Sequence, residues 1–115
     1  MVKKSSEMVD KVIENMRGGD GKVLQHLILD ERDMAKHSRL FATLTLKEGC
    51  SIGEHQHNNE TEYYYILKGK GVVKEADGDK EVSVGDVVIT GDGNSHSIKN
   101  IGKEDLVLLA IIILS

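Results

Sequence analysis

The sequence predicts an all-β domain, a sandwich or closed barrel, with one short helix ahead of it. Three observations carry this expectation. Roughly eight short stretches rich in branched and aromatic residues are separated by turn signals, about eight to twelve residues apart. Twelve glycines are spread through the chain and proline is absent, which suits tight turns between strands better than a disordered linker. Only one segment, near the N-terminus, carries a helical period. A chain of 115 residues accommodates one such unit.

Taken in order, residues 5–17 place Met8, Val9, Val12, Ile13 and Met16 at steps of one, three and four. Ser5 or Ser6 is available as N-cap, and Gly18-Gly19 as the stop. The expectation is a packing helix laid over a barrel, with residues 1–20 forming helix and linker and residues 21–115 the barrel. Val23 to Leu29 reads as the first strand. Arg39 to Leu46 reads as the second, with Leu40, Ala42, Leu44 and Leu46 on one face. Which face looks inward is open, so Phe41, Thr43 and Thr45 either line the interior or meet a partner. Lys47 to Glu60 reads as the largest irregular stretch. Thr61 to Leu67 follows, ending at Gly69-Lys70-Gly71. Val72 to Glu75 and Lys80 to Val84 flank Asp77-Gly78-Asp79, a hairpin signal. Val87 to Thr90, His96 to Ile98 and Leu106 to Leu114 complete the set. The last of these does not alternate, so both its faces are expected to be buried.

Composition narrows the partners. Fifteen basic residues stand against nineteen acidic ones, for a net charge of −4, and no basic run reaches five. Nucleic acid and anionic membrane surfaces are therefore poor partners. The longest apolar run is about half of the ~20 residues a membrane helix needs. The start Met1-Val2-Lys3-Lys4 turns polar at once, unlike a secretory signal. Cys50 is the only cysteine, so no intramolecular disulfide forms and a reducing, cytoplasmic setting is expected. Cys50 itself reads as a small loop residue. An apolar fraction of 39% and the run Leu106–Leu114 favour burial against a second copy, hence a homodimer.

The chemistry lies in the histidines. His55 and His57 are one residue apart, so on a strand both point to one face. Glu62 follows after a short turn, and His96 lies on a later strand. Three neutral imidazoles and one carboxylate could then surround one divalent metal ion. His26 and His37 fall outside this set and read as ordinary strand and loop residues.

The surrounding glycines make the spacing specific. Gly49, five residues, His55, one residue, His57, four residues, Glu62, six residues, Gly69 resembles the first cupin motif without departure. Gly85, five residues, Gly91-Asp92-Gly93, two residues, His96, three residues, Asn100 resembles the second. Here Gly91 stands where the family usually has proline, which puts the local stiffness of that turn in question. The resemblance spans Gly49 to Asn100. It implies a double-stranded β-helix, the cupin jelly-roll barrel, with one metal ion inside held by His55, His57, Glu62 and His96.

Such a donor set suits divalent Mn, Fe, Ni, Co or Zn. Four protein ligands leave two positions open on an octahedral ion, and the formal charge of ion plus carboxylate is +1. A small-molecule ligand or substrate that is anionic, oxygen-rich and bidentate is the expected guest. Two functions compete. One is an enzyme of dioxygenase, isomerase, decarboxylase or lyase type; the other is a metal-dependent sugar- or carboxylate-binding protein without turnover. For the first, Tyr64 and Glu60 are the candidate catalytic residues, with Glu54 nearby. If Glu62 points inward, Tyr64 shares its side, and Tyr63 and Tyr65 face the other way.

Overall fold

A computed structural model describes all 115 residues as ten strands and two short 3-10 turns, Ser5–Glu7 and Met16–Gly18. The strands are β1 (Val9–Glu14), β2 (Lys22–Leu27), β3 (Ser38–Leu46), β4 (Ser51–Gln56), β5 (Glu60–Lys68), β6 (Lys70–Glu75), β7 (Gly78–Ser83), β8 (Val87–Thr90), β9 (Ser95–Asn100) and β10 (Leu106–Leu114). They form a six-stranded sheet in the order β1-β2-β3-β10-β5-β8 and a four-stranded sheet in the order β4-β9-β6-β7. All the strand pairings are antiparallel. No helix is long and apolar enough to cross a membrane.

Three expectations are corrected. Residues 5–17 do not form a helix: Val9 to Glu14 pair with Leu27 to Lys22 as the edge strand β1. The β-branched Val9, Val12 and Ile13 suit an extended chain, and the pairing offered by β2 outweighs the helical spacing. The stretch Lys47–Glu60 is not irregular throughout, because it contains β4. That strand holds a single strongly apolar residue, Ile52, and its alternation is broken by a bulge between Ile52 and His55. Finally, β10 does alternate. Leu106, Leu108, Ala110 and Ile112 are buried, while Val107, Leu109 and Ile111 are half-buried on the outer face of the sheet. Uniform apolarity concealed the difference between the two faces.

The core lies between the sheets. Leu44 and Leu46 of β3, Tyr64 and Ile66 of β5, and Leu106, Leu108 and Ala110 of β10 come from one side. Ile52, Val73 and Ile98 come from the other. This settles the orientation of β3: Ala42, Leu44 and Leu46 face in, and Phe41, Thr43 and Thr45 lie on the outer face, where Phe41 pairs with Ile111. Cys50 is half-buried, and its sulfur packs so closely on Gly21 that a Cβ there would meet it at 2.5 Å. Above Tyr64 and Ala110 the interior turns polar.

Candidate metal centre

Alternation along β5 aims Glu62 and Tyr64 into the barrel and Tyr63 and Tyr65 out of it, as the sequence pattern predicts. On β9 the same two-residue period puts His96, Ile98 and Asn100 inside. The bulge in β4 does the remaining positioning. Ile52 pairs with Ile98 and His55 with His96, so three steps on β4 match two on β9. Without the extra residue, Ile52 and His55 would face opposite sides. His57 lies just beyond β4, tied to the β8–β9 turn by its backbone N–H to the Asn94 carbonyl and its carbonyl to the Gly93 N–H.

The four residues meet. Their ligand atoms all lie within 4.8 Å of one another. His96 Nε2 is 2.9 Å from His55 Nε2 and 3.1 Å from His57 Nε2. Glu62 Oε1 is 2.9 Å from the Nε2 atoms of both His57 and His96, and 3.5 Å from that of His55. Two donors at right angles, each ~2.1 Å from a common ion, would be ~3.0 Å apart, so the spacing fits one six-coordinate divalent ion. His57, Glu62 and His96 are at most 3% exposed.

Hydrogen bonds behind the ring fix which nitrogen is free. His55 Nδ1 lies 2.7 Å from the Gly53 carbonyl, which can only accept, so Nδ1 carries the proton. His57 Nδ1 meets the Glu60 carboxylate at 2.5 Å, with the same consequence. His96 Nδ1 lies 2.7 Å from the Thr90 hydroxyl. In His55 and His57, protonated at Nδ1, the inward Nε2 is a lone pair open to a metal ion, and the Thr90 hydroxyl can support the same tautomer in His96. His96 also stacks on Tyr64, with ring centroids 4.7 Å apart and planes 15° from parallel.

Electrostatics favour the ligating forms. Burial alone would raise the Glu62 carboxyl, but the His55 and His96 rings packed against it outweigh burial and hold the group at about 2, a carboxylate at neutral pH. Burial also lowers His96, against the pull of Glu62. Tyr64 is pushed well above the usual phenol range by burial and by the Glu62 charge, so it is a neutral hydroxyl at pH 7.

The sequence brought forward Glu60 as a candidate acid or base. Here it accepts two hydrogen bonds from Arg39, at 2.9 and 2.8 Å, besides meeting His57. Those Arg39 bonds lower its carboxyl below the ordinary range. Glu54 is exposed, while His26 pairs with Asp10 across β1 and β2. Gly91, where the family usually has proline, packs on Thr61: a Cβ there would lie 2.5 Å from the Thr61 hydroxyl. Sequence reasoning missed Gly53, Thr90 and Arg39. An isolated glycine inside a strand is a bulge signal and could have pointed to Gly53. Nothing local marks Thr90 or Arg39, which reach the site through pairing partners far along the chain.

Comparisons with known proteins agree with this fold. The family model described as Cupin domain matches residues 42–112. An oxalate-binding protein of Thermotoga maritima is 46% identical over 114 residues, covering 99% of this chain and 94% of that one. A crystal structure from Thermotoga maritima, described as a predicted oxalate decarboxylase, superimposes with a TM-score of 0.93 at 46% identity over 100% of both chains. The polyketide cyclase RemF from Streptomyces resistomycificus has a TM-score of 0.78 over 99% of this chain and 80% of its own, at 15% identity, and so shares the fold.

Proposed function

The chain belongs to the cupin family, and on that premise we propose that it is a metal-dependent binder of small chelating dicarboxylates, of which oxalate is the leading case. His55, His57, Glu62 and His96 hold one divalent transition ion, and the guest takes the coordination positions they leave open. The observation that carries this is the convergence of three Nε2 atoms and one carboxylate oxygen at ion-sized spacing. The names of the Thermotoga maritima relatives supply the class of guest.

When bound, the ion supplies Lewis acidity and a fixed positive charge at the mouth of the ring. The chain's own residues do the rest. Gly53 and Glu60 hold the imidazoles of His55 and His57 in the ligating tautomer. Tyr64 and Thr90 brace the His96 ring. The core beneath keeps water from the inner side of the site.

Binding is favoured over turnover by a specific shortage. Glu60 is occupied by Arg39 and His57, Tyr64 keeps its proton at neutral pH, and Glu54 is exposed. Inside the barrel, beside the four clustered residues, no uncommitted carboxylate or imidazole is therefore placed to move a proton. The second reading is an enzyme of decarboxylase or related type, which the name of the Thermotoga maritima structure favours.

The test is elemental analysis followed by calorimetric titration of the metal-loaded protein with oxalate and with acetate. About one metal per chain, and oxalate bound much more tightly than acetate, is the expected result, because chelation makes the second contact intramolecular. Equal affinities, or none, would mean a closed structural metal. Release of carbon dioxide from oxalate would establish the second reading.

A homodimer is part of the same proposal. The outer face of the six-stranded sheet gathers Phe41, Tyr63, Tyr65, Ile89, Leu109 and Ile111, with Tyr65 45% and Ile89 62% exposed. A contiguous apolar sheet face of this kind is a partner surface.

A further inference from the structure

Strand β3 carries a bulge of its own at the level of Glu62, since Leu40 and Glu62 both pair with Ile112. Leu40 pairs with Ile112 and Ser38 with Ile113, so Arg39 is an extra residue with no partner on β10. Regular alternation would send Arg39 to the outer face with Phe41, because Ala42, Leu44 and Leu46 face in. Glu60 belongs to the other side of the sheet: it shares the alternation of Glu62 and Tyr64, which point into the barrel. The two residues also stand on strands separated by β10, roughly 10 Å across the sheet. Yet Arg39 Nε and Nη2 donate to the two carboxylate oxygens of Glu60 at 2.9 and 2.8 Å. The bulge allows this by turning Arg39 off its regular direction and toward Glu60, which pairs with Leu114 at the end of β10.

An independent feature of the backbone completes the series. In the β4–β5 connection Asn59 adopts φ 59°, a left-handed conformation that asparagine tolerates, and its carbonyl accepts from the Ser115 N–H at 3.0 Å. The turn folds Glu60 back onto His57, three residues earlier. The Glu60 oxygen that meets His57 Nδ1 at 2.5 Å is the one that also accepts from Arg39 Nη2. Side-chain exposure falls along the series, from 45% at Arg39 to 12% at Glu60 and 2% at His57.

An ion pair between two exposed side chains contributes little. Here a two-pronged guanidinium grips a carboxylate that is largely withdrawn from water and has a second partner to serve. A carboxylate anchored at both oxygens presents one orientation to the ring, whereas an unanchored one can rotate away. We propose that Arg39 is a positioning residue of the metal centre: its fork locks Glu60, and Glu60 so locked keeps the His57 proton on Nδ1 and leaves Nε2 for the ion. This rests on the metal-centre part of the reading given above and not on the identity of the guest.

The experiment compares wild type with Arg39→Met, which keeps an unbranched stem and deletes the fork, and with Arg39→Lys, which keeps the charge. In the metal-free proteins, long-range ¹H–¹⁵N spectra report which imidazole nitrogen carries the proton. Wild type should show His55 and His57 protonated at Nδ1. In Arg39→Met the His57 signals should move toward a mixture of tautomers, while those of His55, held by the Gly53 carbonyl, should stay. Arg39→Lys should restore only part of the wild-type pattern, because one ammonium does not replace two parallel hydrogen bonds. Competition for Co²⁺ with a chromogenic chelator should show affinity about 3- to 10-fold weaker in Arg39→Met, less than the 10- to 100-fold typical of losing the direct partner. In a Glu60→Gln background the same substitution should change Co²⁺ affinity by less than about 2-fold, because the path through the carboxylate is already cut. Unshifted His57 signals in Arg39→Met, or an equal loss of affinity with and without Glu60, would overturn the positioning role. If Arg39→Met does not fold, Arg39→Gln takes its place under the same criteria. A wild type that takes up no Co²⁺ would defeat the metal reading, and this inference with it; normal Co²⁺ binding beside unshifted His57 signals would defeat the inference alone.

Discussion

Glu60 shows how much a single residue behind the ligands can matter. It stands between Arg39 and His57, and its carboxylate is what keeps the His57 proton on Nδ1. Glu60→Gln can present its amide nitrogen to the ring and turn the tautomer, so metal affinity should fall by about 10- to 100-fold, the usual loss for such a partner. Competition with a chromogenic chelator measures it. His57→Ala should go further and abolish both metal retention and the rise in melting temperature that metal confers. His37→Ala, in the β2–β3 connection, should do neither. Retention of metal by His57→Ala would sink the ligand assignment.

The same residues set the response to acid. Burial keeps His96 below its ordinary value, and the His55 and His96 rings, against the upward push of burial, keep Glu62 at about 2, so at pH 7 Glu62 is a carboxylate and His96 is neutral. Both are depressed groups. In the metal-free protein their contribution to stability is present above the unfolded values and is lost as pH falls, from about 6.5 downward for His96 and from about 4.5 toward 2 for Glu62. Metal should be released on the same acid side of neutrality, with more than one proton taken up per ion, because several imidazoles compete with it. Metal content after dialysis at stepped pH tests this; release on the alkaline side, or with a single proton, would contradict it.

At the scale of elements, the bulge in β4 is the decisive feature. It lets Ile52 serve the core and His55 the ring from one short strand. Gly53 is required there because the Arg17 carbonyl occupies the place of a side chain. Gly53→Ala must push the Met16–Gly18 turn away or flatten the bulge. A destabilisation of about 1–3 kcal/mol is expected, the ordinary range for overpacking, together with weakened metal binding through His55. Gly49→Ala offers the contrast: open space surrounds it, and only its φ of 77° is strained, so it should lose stability while retaining metal. Chemical denaturation and metal titration of the two variants separate these outcomes.

At the scale of the molecule, the two sheets are unequal. The four-stranded sheet brings His55 and His96, while the six-stranded sheet brings Glu62 and presents the apolar outer face. A dimer through that face would leave the histidine ring inside each barrel undisturbed. Light scattering at micromolar concentration should give twice the chain mass, and Tyr65→Glu, aimed outward from β5, should give a single chain with its metal content unchanged. A wild-type monomer at that concentration would rule the dimer out.

The cupin barrel, the inward Glu62 and Tyr64, and strands β5, β8 and β9 beside the site were legible in the residues. They depend on local alternation, on turn-forming glycines and on the spacing from Gly49 to Asn100, and each of these acts over a few neighbours. The nature of residues 9–14 was not legible, because valines and isoleucines spaced like a helix face serve equally well on an edge strand once β2 is there to pair. Nor was β4, whose bulge cancels the very alternation that identifies strands. The partners Thr90 and Arg39 depended on register between segments tens of residues apart, as when Glu62 comes to lie beside Thr90. The sequence by itself determined which atoms are available to hold an ion. Only the tertiary structure decided which protons those atoms keep and which groups stand behind them, because tautomer is set by partners such as the Gly53 carbonyl and the Glu60 carboxylate that folding makes neighbours.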